Sequence, residues 1–381
     1  MKGIFAEIMN LGFIHLRKIG DILLLLVPLS ILAEFLNWGE IPLFLFSALA
    51  IIPLAGYIGE STDILATATG PRIGGLLNAT LGNAAELIIT IIAIREGLLE
   101  LVKASITGSI LGNVLLVLGM SMVLGGIKNG VQIFDRRQAG NNAILLVLAV
   151  IALLIPSLLS GYIGQSDSPG VEALSIGVAI IMIVLYILGV VYSLKTDRGP
   201  LSSRPSVETN PSMGNIYEPE EMTEVHPAWS TRKSIVILGL ATFGVVIMSE
   251  LLIGSVEPVM LSLGISEFFL GIILIPIIGN VAEHLVAVKV AIQNKMELSV
   301  EIAIASSLQI ALFVAPVLVF VSLFIGNPMQ LIFNEVELLA LVAGVLITAL
   351  VSSDGESNWL EGAELVAVYL ILALTFFLMP V

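Results

Sequence analysis

The chain has 381 residues, of which 57% are apolar and 12% charged, against about a quarter charged in an ordinary soluble domain. Its charges fall in short windows separated by apolar stretches of about twenty residues or more, enough to cross a hydrocarbon core about 30 Å thick. That pattern excludes a soluble globular protein, and without cysteine the chain has neither a disulfide framework nor a thiolate metal site.

In chain order, the predicted spans are Asp21–Asn37, Ile41–Thr69, Pro71–Glu96, Leu99–Ile127, Gln138–Ser160 and Pro169–Leu194. A polar loop follows, then Arg232–Val256, Phe268–Gln293, Glu297–Ile325, Val336–Ser353 and Trp359–Met379. The fold class expected is all-α and membrane-embedded, with about eleven spans. The first twenty residues lack the small-residue cleavage site of a signal peptide and read as a cytoplasmic amphipathic lead-in. With that end in the cytoplasm, fourteen of the sixteen Lys and Arg residues fall inside and only Arg95 and Lys103 fall outside. This matches the positive-inside rule and puts the C-terminus on the extracytoplasmic side.

The sequence also repeats. Gly74, Gly82, Asn83 and Glu86 in the third span recur at an offset of 197 as Gly271, Gly279, Asn280 and Glu283 in the eighth. The same offset pairs Glu100 with Glu297 and Ser109 with Ser306. Four units follow: residues 1–37 with an extra first helix, a five-helix half at 41–194, a linker at 195–231, and a second half at 232–381. Five is odd, so the halves insert with opposite orientation, a layout that in transporters puts the site near the midplane. The linker carries Pro200, Pro205, Pro211 and Pro219 beside Glu218, Glu220, Glu221 and Glu224. Those acids read either as a solvated patch or as a segment that attracts divalent cations.

Glu86 and Glu283 lie near the middle of their spans. An ionisable group there is costly and marks a functional site by default. A bland alternative is two protonated glutamic acids that merely lock helices together. On a continuous helix Gly82, Asn83 and Glu86 share one face, as do Gly279, Asn280 and Glu283. The glycines admit close approach, and Pro276 frees a carbonyl one turn earlier. Thr107, Ser109 and Asn113 in the fourth span, and Ser306, Ser307 and Gln309 in the ninth, add hydroxyl and amide groups. An all-oxygen cluster suits Ca2+, leaves Mn2+ open, and disfavours Zn2+. His284 points about 100° away from Glu283, which favours a supporting or proton-relay role over direct ligation. Asp63, Glu250 and Glu257 are candidates to guide ions or protons, Glu257 standing equally well as a helix-end acid reaching the interface.

The stretches Gly-Gly-Leu-Leu-Asn-Ala-Thr-Leu-Gly-Asn-Ala-Ala-Glu (74–86), Pro-Ile-Ile-Gly-Asn-Val-Ala-Glu-His (276–284) and Ser-Ser-Leu-Gln-Ile-Ala-Leu-Phe-Val-Ala-Pro (306–316) resemble the CAX family of Ca2+/H+ antiporters, within the cation/Ca2+ exchanger superfamily. The resemblance implies an eleven-helix fold in which Glu86 and Glu283 bind Ca2+ and H+ in competition. It implies support from Asn83, Asn280, Ser109, Ser306 and Gln309, and it matches Glu218–Glu224 to an acidic stretch between the halves.

Charge then suggests the coupling. Two ionised carboxylates neutralise one Ca2+, two protonated ones are neutral alone, and the empty doubly ionised site is costly in a low dielectric. The exchanger is therefore expected to cross loaded with Ca2+ or with protons, and the second and seventh spans, or one bundle, rock about the site to give alternating access. Expected partners are the two ions and the bilayer, with a homo-oligomer left open and no nucleic acid or cofactor. Competing readings are a Na+-driven exchanger, whose motif has proline where this chain has Ala85 and Ala282, a cation channel, and an intramembrane hydrolase, for which no nucleophile–base pair or three-ligand metal motif is found.

Overall fold

The computed structural model describes residues 20–70, 74, 77, 78, 80–164, 168–195 and 229–379. The acidic linker residues Glu218, Glu220, Glu221 and Glu224, together with His15 and His226, lie outside them. The described chain is helical: α1 Leu26–Phe35, α2 Glu40–Thr69, α3 Ala84–Arg95, α4 Leu99–Asn129, α5 Arg136–Ile163, α6 Pro169–Lys195, α7 Thr231–Gly254, α8 Glu267–Ile292, α9 Met296–Ile325, α10 Glu335–Val351 and α11 Trp359–Leu378. Eight of these (α2, α4–α9 and α11) contain stretches long and apolar enough to cross a membrane. Two-residue strands β1 Gln132–Ile133 and β2 Glu356–Ser357 pair antiparallel, tying the α4–α5 loop to the α10–α11 loop.

Several predicted spans are interrupted, each for a local reason. The first was expected as one helix over Asp21–Asn37, but a turn at Leu24–Leu25 precedes α1. Pro28 cannot donate to residue 24 and its ring crowds that carbonyl. The seventh, expected to Val256, ends at Gly254, and a separate short helix Val256–Leu263 follows and stops at left-handed Gly264. The third was expected as a continuous helix over Pro71–Glu96. Instead the chain turns at Gly82–Asn83 and α3 starts at Ala84. Glycine weakens a helix interior.

Three segments widen to π-helical pairing: Gly112–Val117 in α4, Leu270–Leu274 in α8 and Ile310–Val314 in α9. Proline stands two residues after the last two, at Pro276 and Pro316. Each lacks a donor, so the chain cannot keep regular pairing through the preceding turn. The released Ile272 carbonyl packs onto Gly108 of α4, where a β-carbon would collide with it. Only glycine lets α4 and α8 meet there.

α2 lies along α7, and α8 runs between α2, α4 and α9. The C-terminal carbonyls of α8 are held by Asn129, which donates to Ala291 and Ile292, and by Gln132, which donates to Ala291 at 2.8 Å. Apolar side chains on the outer faces of α5 and α6, such as Ile144, Leu148, Ile181 and Leu188, are exposed, as expected of surfaces that meet lipid.

Candidate functional site

The break at Gly82–Asn83 places Glu86 in the first turn of α3, where unpaired backbone N–H groups favour negative charge. The Glu86 side chain is 3% exposed, and neither of its oxygens has a hydrogen-bond partner. The Asn280 side chain lies beside it and donates its amide to Ser109 Oγ at 3.3 Å. Gly279 forms the facing wall. A β-carbon there would stand 3.1 Å from Cγ and 3.2 Å from Cδ of Glu86.

Asn83 occupies the cap position of α3 but makes no capping bond. Its amide donates instead to Gln309 Oε1 at 2.7 Å, and its own Oδ1 is buried without a partner. Three oxygens one turn apart on the chain, two on Glu86 and one on Asn83, are thus buried and unpaired. Buried polar atoms almost always find partners, so such a group calls for one from outside the chain, whether water, proton or ion.

Glu283 sits differently. It is partly exposed and accepts from Ser306 Oγ at 2.8 Å. Ser306 accepts from Asn113 Nδ2 at 3.1 Å, and Asn113 Oδ1 meets His284 Nε2 at 3.1 Å. A chain of hydrogen bonds therefore links Glu283 to its sequence neighbour His284 through two other helices. Glu86 and Glu283 are close enough for their charges to interact, as are Glu283 and Asp63.

The structure brings together Glu86, Glu283, Asn83, Asn280, Gly279, Ser109, Asn113, Ser306, Gln309 and His284. Gly82 forms the turn that starts α3 rather than sharing a helix face with Glu86, which corrects the continuous-helix expectation. Asp63 is exposed near Glu283. Glu257 stays apart, exposed on the short helix Val256–Leu263 with no hydrogen bond or ion pair to the cluster among the described residues. Glu250, a candidate ion-guiding acid by sequence, is held by both terminal nitrogens of Arg95, at 2.8 Å each. Sequence reasoning missed the π-helical segments. Prolines at 276 and 316 signal two of them, and nothing in the sequence marks the third.

The sodium/calcium exchanger protein family matches residues 40–195 and 233–378. A protein named Ca2+/H+ antiporter from Aphanothece halophytica is 45% identical over 366 residues, covering 94% of this chain and 96% of the relative. Another of that name from Synechocystis is 46% identical over 378 residues, covering 95% and 98%. The solved structure of native YfkE superposes with a TM-score of 0.80 at 41% identity, covering 94% of this chain and all of that one. The apolar helices and these relatives together make the chain a multi-pass integral membrane protein. It belongs to the sodium/calcium exchanger family, among relatives named Ca2+/H+ antiporters.

Proposed function

We propose that this chain exchanges Ca2+ for H+ across its membrane, with Glu86 and Glu283 binding one Ca2+ or two protons in competition. The observation that carries this reading is the set of buried, unpaired oxygens on Glu86 and Asn83 beside a second carboxylate. Glu86 is buried beside a second carboxylate, so the doubly ionised empty site is costly and is relieved by a cation or by protons. Crossing empty is therefore disfavoured, and the two ions move in opposite directions. Mn2+ has the same taste for oxygen and is a second candidate cargo.

The proposed architecture is eleven spans, one extra helix followed by two inverted five-helix halves at 41–194 and 232–381. Features beyond the motifs support it at the offset of 197. α3 ends before left-handed Gly97 and α8 before left-handed Asn294. The π-helical segments Gly112–Val117 and Ile310–Val314 end at matching positions. The family also matches the chain in two blocks. The distribution of Lys and Arg supports a cytoplasmic N-terminus and an extracytoplasmic C-terminus. Glu218, Glu220, Glu221 and Glu224 are proposed to gather cations at the cytoplasmic face.

Uptake of radiolabelled Ca2+ into proteoliposomes tests the function. The reading expects uptake that follows an imposed pH gradient, collapses when the gradient is dissipated, and ignores Na+. Uptake driven by Na+, or needing neither gradient, would overturn it.

A further inference from the structure

A second group of oxygen ligands lies away from the exchange site, where the N-terminal ends of α5 and α9 meet. A small open cleft there has room for about one water-sized sphere. Gln138 and Asn142 of α5 and Glu297 and Glu301 of α9 line it, and Phe134 and Val300 supply apolar walls. Glu297 and Glu301 are one helical turn apart, and their like charges act on each other. Two carboxylates alone are no site. The independent observation is Asn142, which is 1% exposed and presents a buried Oδ1 that has no hydrogen-bond partner. Leaving a buried amide oxygen unpaired is costly. Asn142 of α5 and the two glutamates of α9 line the same cleft, so a cation held there would pair it.

We infer that this cleft is a second binding site for a divalent cation of the Ca2+ type, held by Glu297, Glu301, Asn142 Oδ1 and the Gln138 amide oxygen. The donors are all oxygen, and carboxylates from one side with amide oxygens from the other are a set Ca2+ accepts, water completing its shell of six to eight. The bound ion would bridge α5 of the first half to α9 of the second. Ser306 and Gln309 of the exchange site lie one to two turns further along α9, so occupancy would bias how that helix sits. The site is separate from Glu86 and Glu283, and its test does not depend on their role.

The experiment is equilibrium dialysis of the purified full chain with radiolabelled Ca2+. Two ions per chain are expected at saturation in the intact protein. One should remain in Glu301→Gln, one in the double variant Glu86→Gln/Glu283→Gln, and none when all three changes are combined. Asn142→Ala keeps both glutamates and should weaken the second site by roughly tenfold, the fold-change for about 1.4 kcal/mol. Size-exclusion elution matching the parent protein qualifies each variant for counting. An unchanged Ca2+ count in Glu301→Gln, or no residual Ca2+ in Glu86→Gln/Glu283→Gln, would overturn the assignment and leave the cleft holding water.

Discussion

Glu86 and Glu283 occupy equivalent positions in the repeat, yet their surroundings differ. Glu86 follows a broken helix, is sealed from solvent and faces Gly279, with Asn280 beside it. Glu283 stands inside a continuous stretch of α8, is partly exposed, and is held by Ser306 in a chain that ends at His284. The half around Glu86 breaks at Gly82–Asn83, beside the glutamate. The half around Glu283 is distorted more than two turns earlier, at Leu270–Leu274. Near-identical motifs thus produce one sealed, unanchored carboxylate and one less fully covered and anchored by Ser306.

The sharpest way to break the comparison is to remove each charge. Glu86→Gln and Glu283→Gln should each reduce Ca2+/H+ exchange in proteoliposomes to background while the protein still elutes as a folded species. Transport surviving in either variant would show that its carboxylate is dispensable. Next in size is pH. Protons and Ca2+ compete for the same oxygens, so lowering pH on the loading side should raise the Ca2+ concentration needed for half-maximal uptake, and raising pH should lower it. A half-saturation that does not move with pH would remove the competition.

Crowding the sealed side comes third. Gly279→Val should push into Glu86, costing about 1–3 kcal/mol of overpacking and weakening Ca2+ half-saturation by roughly ten- to a hundredfold. Gly239→Val is the control, since a β-carbon there has open space around it. Equal effects of the two substitutions would remove the special role of the Gly279 wall. On the anchored side, Ser306→Ala deletes the hydroxyl that donates to Glu283. Hydrogen bonds to charged groups are worth about 1.5–3 kcal/mol, but Asn113 is nearby to replace it, so the expected loss of affinity is roughly tenfold. The smallest effect is expected from Arg95→Gln. It breaks an ion pair whose side chains are 50% and 41% exposed, worth at most about 1 kcal/mol. Thermal unfolding should shift slightly and the Ca2+ half-saturation should not change.

Much of this is legible in the sequence because membranes impose strict periodicities. Apolar runs and their flanking charges locate the helices, and an exact repeat offset pairs Glu86 with Glu283 from residue identity alone. The amide and hydroxyl partners stand out because they recur in register, as with Ser109 and Ser306. What is not legible depends on contacts between distant elements. The Asn83 amide at the helix break finds its partner in Gln309, 226 residues away. Glu250 reads as an intramembrane acid in the sequence, and only the fold supplies its partner, Arg95 on another helix. The cleft at Asn142 joins residues about 160 apart, with only the pairing of Glu100 with Glu297 to hint at it. The left-handed turn at Gly97 is available as a signal, since glycine readily adopts that conformation, but its counterpart is Asn294, so residue identity conceals the symmetry.

The most direct test of competition between Ca2+ and protons is to count the protons released when Ca2+ binds. The purified chain, held in weakly buffered solution at mildly acidic pH, would be titrated with Ca2+ while pH is recorded. The account predicts proton release that saturates with Ca2+ binding, approaches two protons per ion bound at the exchange site, and disappears in Glu86→Gln/Glu283→Gln. Ca2+ binding to the intact protein without proton release, or equal release from the double variant, would contradict it.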